Sequence, residues 1–127
     1  IGDKGHFEWC GHRFRLEKNE HVVNNGEDLP CYGLQFSVNE KTIYFTADSR
    51  FLYPEKKALF EQSTIIFHDC ETAKFKSGVH THYTELLAMP ETIRNKVWLY
   101  HYNPGDKPDP EKDGFKGFVK KGQQFLL

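Results

Sequence analysis

The chain lacks the sequence features of membrane-spanning, secreted and nucleic-acid-coating proteins. Its longest apolar runs hold about half a dozen residues, whereas a helix that spans a bilayer needs about 20. No basic n-region followed by an apolar h-region stands at its start. With 17 basic and 18 acidic side chains, it has no basic stripe for a phosphate backbone, and we interpret Lys116, Lys120 and Lys121 as a solvated face. We therefore expect a soluble, cytoplasmic protein that contacts no membrane.

Cysteine is scarce and irregularly spaced. Cys10, Cys31 and Cys70 are an odd set without a C-x-x-C pair, which excludes a disulfide framework and a zinc ribbon and favours reduced, mostly buried thiols. A length of 127 residues, 38% of them hydrophobic, fits a single domain with one core. A start at Ile1 without a methionine is typical of a piece of something longer.

The residues that are present predict a mixed α/β layer. Apolar and polar residues alternate over residues 6–18, and again on both sides of Asn39–Glu40, so two β-hairpins are expected there. Clusters of turn formers predict exposed loops at Asn24–Pro30 and Asn103–Pro110. A last small hairpin is predicted over Gly114–Leu127.

The middle of the chain alternates between strand and helix patterns. The apolar runs Thr64–Phe67 and Lys96–Tyr100 predict strands that are buried on both faces. Short helices are predicted at residues 54–62, 81–87 and 90–94, where prolines open two of them. We expect these helices to cover one face of the sheet.

A side chain that can bind metal follows each of three predicted strands. These side chains are Asp48, Asp69 and His101. Each has a plain structural explanation by itself, as a turn cap or as a histidine that donates to a backbone carbonyl. Open α/β sheets, however, place the carboxyl ends of their strands along one edge, where ligands bind. The convergence of three such residues therefore predicts a site.

The motifs around these residues follow the order of metal-binding motifs in the metallo-β-lactamase superfamily. His21 in Glu20-His21-Val22, Asp48 in Thr46-Ala47-Asp48-Ser49 and His101 in Tyr100-His101-Tyr102 stand where the superfamily has a single His, a metal-bridging Asp and a final His. From about His21 to its end, the chain resembles the C-terminal part of such a protein, closest to the tRNase Z and cyclic-nucleotide phosphodiesterase branch. The resemblance implies that His21, Asp48 and His101 bind zinc or manganese, both of which accept imidazole and carboxylate ligands.

Two further elements resemble the tRNase Z branch. His68-Asp69 is similar to its strand-terminal His-Glu dipeptide, and His80 in Gly78-Val79-His80-Thr81 is similar to the later His that pairs with that carboxylate. The resemblance implies that Asp69 and His80 are the catalytic pair that donates a proton to the leaving group. His82 is the alternative to His80, although its spacing to the following Glu and Leu fits less well.

The opening motif of the family, His-x-His-x-Asp-His, is absent from the sequence. Residues 1–20 contain His6 and His12, but neither has that spacing. Since this motif supplies about half of the protein ligands in the family, the remaining three could hold one metal but not a bridged pair. We thus expect residues 1–127 to be a single partial domain, half of an αββα sandwich with a mixed sheet.

Three functions remain open at this point. The first is the C-terminal half of a metal-dependent hydrolase of phosphodiester bonds, with RNA or a cyclic nucleotide as substrate, which is incomplete alone. The second is a non-catalytic, truncated half-domain that oligomerises and has no intact dinuclear site. The third is a small-molecule binding module that uses the edge formed by Asp48, Asp69 and His101.

A half sandwich exposes the inner face of its sheet. Large apolar side chains are expected near that face or on the helix side, at Trp9, Phe36, Phe45, Phe67, Trp98 and Phe115. Because an apolar surface of this size needs a cover, the partner is predicted to be a second copy of the chain or a missing N-terminal half.

Overall fold

A computed structural model describes the backbone of residues 5–24 and 27–127, and the side chains of residues 5–19 and 30–127. Ten elements follow in chain order: β1 (His6–Trp9), β2 (His12–Asn24), β3 (Glu27–Val38), β4 (Lys41–Phe45), α1 (Lys57–Gln62), β5 (Ile65–Asp69), α2 (Tyr83–Leu86), α3 (Glu91–Arg94), β6 (Val97–Tyr100) and β7 (Gly117–Phe118). In the described part of the chain, no helix is long and apolar enough to cross a membrane.

All seven strands form one mixed sheet in sequence order. From β1 to β4, neighbouring strands are antiparallel, and from β4 to β7 they are parallel. Two-residue turns connect the first and the third antiparallel pair, with positive φ at Cys10 and Gly11 (51° and 77°) and at Asn39 and Glu40 (49° and 65°). Such turns match the twist of a hairpin. The predicted α/β layer and its two hairpins are confirmed.

The core lies between one face of the sheet and the three helices. Tyr44, Ile66 and Leu99 are fully buried on the strands. Opposite them, α1 contributes Phe60, and α2 contributes Leu86, both with no exposed surface. The expected placement of helices on one face is therefore correct, although α1 begins at Lys57 rather than at Pro54.

The other face of the sheet carries a second set of large apolar side chains. Phe45, Phe67 and Trp98 are partly exposed there, and Phe125 packs edge-on against Phe67 and Trp98 at ring distances of 5.0 and 5.1 Å. Burial on both faces of β5 and β6 was expected, and this is wrong for the described chain, because nothing in it covers this face beyond the C-terminal segment. Phe115 lies on the helix side instead, buried against Tyr83.

Two loop and hairpin predictions are wrong. Most of the expected loop Asn24–Pro30 is strand, because β3 begins at Glu27 and pairs with β2 as a two-stranded ribbon. Pro30 is tolerated there because β4 joins β3 only from Leu34 onward, so this part of β3 needs no donor for a third strand. The last hairpin does not form within the described residues, because β7 pairs with β6 in parallel and Phe125 packs onto the sheet.

Candidate metal centre

The parallel strands bring four side chains to one edge of the sheet. Since β4, β5 and β6 are adjacent and parallel, their carboxyl ends meet, and these ends carry Asp48, Asp69 and His101. His80 joins them from the loop before α2. Each of the four residues offers a ligand atom, and these atoms lie within 4.8 Å of one another. The convergence that the strand ends predict is thus present in the fold.

Asp69 is the buried centre of this group. Its carboxylate has no exposed surface, and its Oδ2 lies 2.7 Å from His80 Nδ1 while its Oδ1 lies 3.0 Å from His101 Nδ1. The Ser49 amide donates to Oδ2 at 3.0 Å. Because an ionised carboxylate only accepts, both imidazoles donate from Nδ1. One carboxylate therefore orients two histidines, as metal sites commonly arrange.

The remaining two members face outward. The side chains of Asp48 and His101 are 52% and 48% exposed, and Asp48 Oδ1 lies 3.7 Å from His101 Nδ1. The rings of His80 and His101 meet nearly at right angles, with centroids 4.5 Å apart. Two imidazoles and two carboxylates at this spacing fit a divalent ion such as zinc or manganese. The donor set supports metal binding without choosing the metal.

The backbone that carries these ligands is held in unusual conformations. Ala47, directly before Asp48, has φ of 55°, and His101 has φ of 69°. Residues with a Cβ rarely adopt this left-handed region, and when they do, the surrounding structure must hold them, most often at functional sites. The Tyr100 hydroxyl supplies part of that restraint by donating to the Ala47 carbonyl at 2.7 Å. Burial raises the pKa of Tyr100, so the hydroxyl keeps the proton that it donates.

A second restraint comes from the ribbon formed by β2 and β3. Asn19 on β2 is 1% exposed, and its Nδ2 donates to the Thr46 carbonyl at 2.5 Å. The Tyr44 hydroxyl donates to Asn19 Oδ1 at 3.1 Å, which fixes the orientation of the amide. Gly33 makes this contact sterically feasible, since a Cβ at that position would lie 2.8 Å from Asn19 Nδ2. Asn19 thereby ties the ribbon to the turn that presents Asp48.

The two candidate histidines before α2 have different partners. His80 contacts Asp69, as described above. His82 instead caps α2: its Nδ1 accepts from the Thr84 amide at 3.2 Å, and its Nε2 donates to the Ala73 carbonyl at 2.8 Å. Both ring nitrogens of His82 are therefore engaged in local structure. The geometry places His80, and not His82, beside the buried carboxylate.

The roles predicted for the individual site residues stay predictions. His21 lies on β2 next to a register shift between Glu20 and Val22, but its side chain is outside the described residues, so its assignment as a metal ligand stays a prediction. The metal role of Asp48 and His101 and the catalytic role of Asp69 and His80 also stay predictions, although these four side chains lie together.

His68 is the buried partner of Asp69 in the predicted dipeptide. Its side chain is fully buried, and its Nδ1 donates to the Asp69 carbonyl at 2.8 Å. Burial lowers its pKa to about 4. His68 is therefore neutral in the folded chain at physiological pH, and its hydrogen bond to the Asp69 carbonyl supports the end of β5.

Sequence reasoning missed the residues that hold the site in place. Asn19, Tyr44 and Tyr100 have no motif, and a polar residue within a long strand is usually solvent-exposed. A signal that could have marked Asn19 is Gly33 on the neighbouring strand, which pairs with Glu17 two residues before Asn19, since Gly within a strand often marks a close approach.

The chain is similar to one family of known proteins over nearly its whole length. The family model described as anti-Pycsar protein Apyc1 matches residues 1–125. The curated Apyc1 of Paenibacillus harenae is 34% identical over 103 residues, which cover 78% of this chain and 37% of the relative. The Apyc1 of Bacillus phage vB_BsuM-Goe3 is 35% identical over 66 residues, which cover 49% of this chain and 25% of the relative. The chain thus spans about a third or less of the length of these relatives.

Two solved structures share the fold. The metallo-β-lactamase fold protein YhfI from Bacillus subtilis superposes with a TM-score of 0.69 at 16% identity, covering 97% of this chain and 53% of that protein. A diphosphatase from the PhnP family superposes with a TM-score of 0.58 at 17% identity, covering 80% of this chain and 36% of that protein. The metallo-β-lactamase resemblance is therefore correct at the level of the fold. Neither structure tests the assignment to the tRNase Z branch.

Proposed function

Because the chain belongs to the Apyc1 family of anti-Pycsar proteins, we propose that it is the C-terminal half of a metal-dependent hydrolase that cleaves the phosphodiester bond of a cyclic nucleotide. The observation that carries this proposal is the group of Asp48, Asp69, His80 and His101, whose ligand atoms lie within 4.8 Å of one another. Strand ends of a sheet with crossover helices are where such folds bind ligands.

The exposed members of the group are the proposed metal ligands. Asp48 and His101 present oxygen and nitrogen donors to solvent, and His21 on β2 is the third proposed ligand. A bound metal pair supplies hydroxide near neutral pH and neutralises the attacked phosphoryl oxygens. Under this proposal, the remaining ligands come from a part of the complete protein outside these 127 residues.

The buried Asp69 and the partly exposed His80 are the proposed proton-transfer pair. Asp69 accepts from His80 Nδ1 at 2.7 Å, which fixes the orientation of the imidazole ring. A histidine held in this way protonates the departing oxygen when the phosphodiester bond breaks. Asp69 has no exposed surface, so its role is to orient the ring and to stabilise the charge that the ring carries.

The proposal also accounts for the apolar face of the sheet that the helices do not cover. A hollow of about 280 Å³ lies on this face, and it is lined only by apolar side chains, namely Leu34, Phe36, Ile43, Phe45 and Phe67. The N-terminal half of the complete protein, or a second copy of the chain, would bury it and complete an αββα sandwich.

One observation favours a second candidate, a non-catalytic half-domain. The sequence contains no His-x-His-x-Asp-His motif, so a dinuclear site cannot form from this chain alone. In that case, the histidines and aspartates would be remnants or would hold one structural ion.

Metal analysis combined with hydrolysis separates the two candidates. The complete protein in which this chain occurs is loaded with zinc or manganese and assayed with a 3′,5′-cyclic nucleotide and with a short RNA. We expect hydrolysis of the cyclic nucleotide, loss of metal in Asp48→Asn, and loss of turnover with metal retained in His80→Gln. His12→Gln, on β2 at the far end of the sheet from the site, is the matched control. A metal-loaded wild-type protein that hydrolyses neither substrate would overturn the proposal in favour of the half-domain.

A further inference from the structure

An exposed basic and aromatic segment borders the candidate metal centre. It consists of Lys74, Phe75 and Lys76, and we call it the Lys-Phe-Lys loop. Phe75 is 78% exposed, and both lysines are exposed as well. The Lys74 ammonium lies 5.6 Å from the centroid of the Phe75 ring. A large exposed ring between two lysines offers both an apolar face and positive charge to another molecule, so this ring is a candidate contact.

Hydrogen bonds on both sides fix the position of this loop. Before it, the Ala73 amide donates to Asn103 Oδ1 at 3.0 Å, and the Ala73 carbonyl accepts from His82 Nε2 at 2.8 Å. After it, the Ser77 amide donates to Glu71 Oε1 at 2.8 Å. The exposed ring is therefore presented from an anchored backbone, which lowers the entropy cost of binding a ligand there.

The same anchors limit the distance between the backbone of the loop and His80. The Ser77 hydroxyl oxygen accepts from the amide of His80 at 3.3 Å. Two residues of extended chain span at most about 7 Å, and Phe75 lies two residues from both Ala73 and Ser77. Its Cα is therefore within about 7 Å of a residue that contacts His82 and of one that contacts His80. The loop is therefore tied to the segment of the chain that carries His80.

The chemistry of the loop selects the kind of ligand. An aromatic face stacks on a nucleobase, and this contact tolerates any base, because every base has a π-face. Two ammonium groups make the electrostatic potential around the ring positive, which favours the approach of an anionic ligand. In the described part of the chain, neither lysine forms an ion pair, so both charges are available. A single ring and two charges match one nucleotide rather than a polymer, in agreement with a net charge of −1.

We propose that the Lys-Phe-Lys loop is the base-binding subsite of the enzyme, where the nucleobase of a mononucleotide substrate stacks on Phe75 and the charges of the two lysines favour an anionic ligand. This inference rests on the proposed function and adds the recognition of the base to it. Phe75 is thus a binding residue for the part of the substrate that does not react.

Equilibrium binding to the complete protein tests this inference without turnover. The protein is kept in a metal chelator, and its affinity is measured by calorimetry for 3′,5′-cyclic AMP and for the base-free cyclic ribose phosphate. We expect Phe75→Ala to weaken binding of cyclic AMP by roughly tenfold or more, because a stacked base contributes on this scale. The base-free ligand should bind the variant as it binds the wild type.

Matched variants separate stacking from a general structural effect. Phe75→Trp should retain the affinity for cyclic AMP, and Phe75→Leu should lose most of it. Trp9→Ala removes an aromatic ring that is 67% exposed on the edge strand β1, and it should change nothing. The inference is overturned if Phe75→Ala binds cyclic AMP like the wild type, or if it weakens both ligands equally. The inference is also overturned if Phe75→Ala weakens the binding of a single-stranded oligonucleotide and leaves the binding of cyclic AMP unchanged.

A separate assay distinguishes failure of the subsite from failure of the proposed function. The metal-loaded protein is tested for hydrolysis of bis(p-nitrophenyl) phosphate, a phosphodiester without a nucleobase. Hydrolysis that is unchanged in Phe75→Ala, together with unchanged affinity for cyclic AMP, overturns the subsite and leaves the proposed function standing. Absence of hydrolysis together with base-dependent binding does the reverse.

Discussion

The two faces of the sheet carry similar apolar side chains but differ in what covers them. On the helix side, Tyr44, Ile66 and Leu99 have no exposed surface. On the opposite face, Phe67 and Trp98, from the same strands, remain partly exposed. The crossover helices are local in sequence and cover their face with residues of this chain, whereas the other face is covered in the described residues only by the C-terminal segment. The difference shows which part of the stability belongs to this chain alone.

The largest expected effect is the loss of a ring from the covered face. Phe60 on α1 has no exposed surface, and it packs edge-on against Tyr44 at 5.7 Å and Tyr53 at 5.6 Å. Phe60→Ala should lower the free energy of unfolding by roughly 3–5 kcal/mol, because it leaves a cavity that the packed core cannot close. Urea denaturation of the chain measures this. A loss no larger than that of an exposed phenylalanine would mean that this face is not a rigid core.

The second effect is a pH dependence that also belongs to the covered face. Burial lowers the pKa of His68 from 6.5 to about 4, so the unfolded chain binds a proton at this position at a higher pH than the folded chain does. The stabilisation by the neutral ring is complete above pH 6.5 and is lost as the pH falls from 6.5 toward 4, by roughly 3 kcal/mol in total.

Denaturation midpoints measured between pH 7 and pH 4 reveal this loss. His68→Gln cannot titrate and should have a flatter stability profile over the same range. If the wild type and His68→Gln lose stability in parallel, the acid sensitivity comes from other groups and not from the buried ring.

The third effect concerns the contact of the ribbon with the Asp48 turn. Asn19→Ala should cost roughly 1–3 kcal/mol, because it leaves the buried Thr46 carbonyl and the Tyr44 hydroxyl without their partner. Tyr44→Phe should cost about 1 kcal/mol. Since both changes break one network, the double variant should cost less than the sum of the two single variants. Additive costs would show that the amide and the hydroxyl act independently.

The smallest loss of stability is expected on the face of the sheet without helices. Its size depends on whether another chain or segment covers that face. Phe67→Ala should cost only about 1 kcal/mol in the chain alone, because the ring is already partly exposed. In the complete protein, the same change should approach the cost at Phe60, because the covering layer buries the ring. Equal small costs in both proteins would contradict the proposal that this face is covered.

Strand ends were the part of the site that the sequence could predict. Asp48, Asp69 and His101 follow apolar runs, and parallel neighbours must bring such residues to one edge. The turn at Asn39–Glu40 was equally readable, because two turn residues between alternating segments specify a hairpin. These features depend on local pattern and on a general rule of topology.

The features that the sequence could not predict depend on contacts between residues that are far apart in the chain. Phe125 has the alternation of a strand, but the exposed rings of Phe67 and Trp98 offer it a better contact than a hairpin partner would. The role of Asn19 depends on a carbonyl 27 positions later in the chain. No periodicity within β2 indicates such a partner, and a strand residue of this type is ordinarily expected to face water.

The hydrogen bond from Asn19 to the Thr46 carbonyl also limits a distance that matters for metal capture. Thr46 precedes Asp48 by two residues, and His21 follows Asn19 by two residues. Two residues span at most about 7 Å, so the bond confines the backbone segments that carry these two predicted ligands to one neighbourhood before any ion arrives. The neutral amide of Asn19 therefore limits the separation of the two predicted ligands, Asp48 and His21, before an ion binds between them.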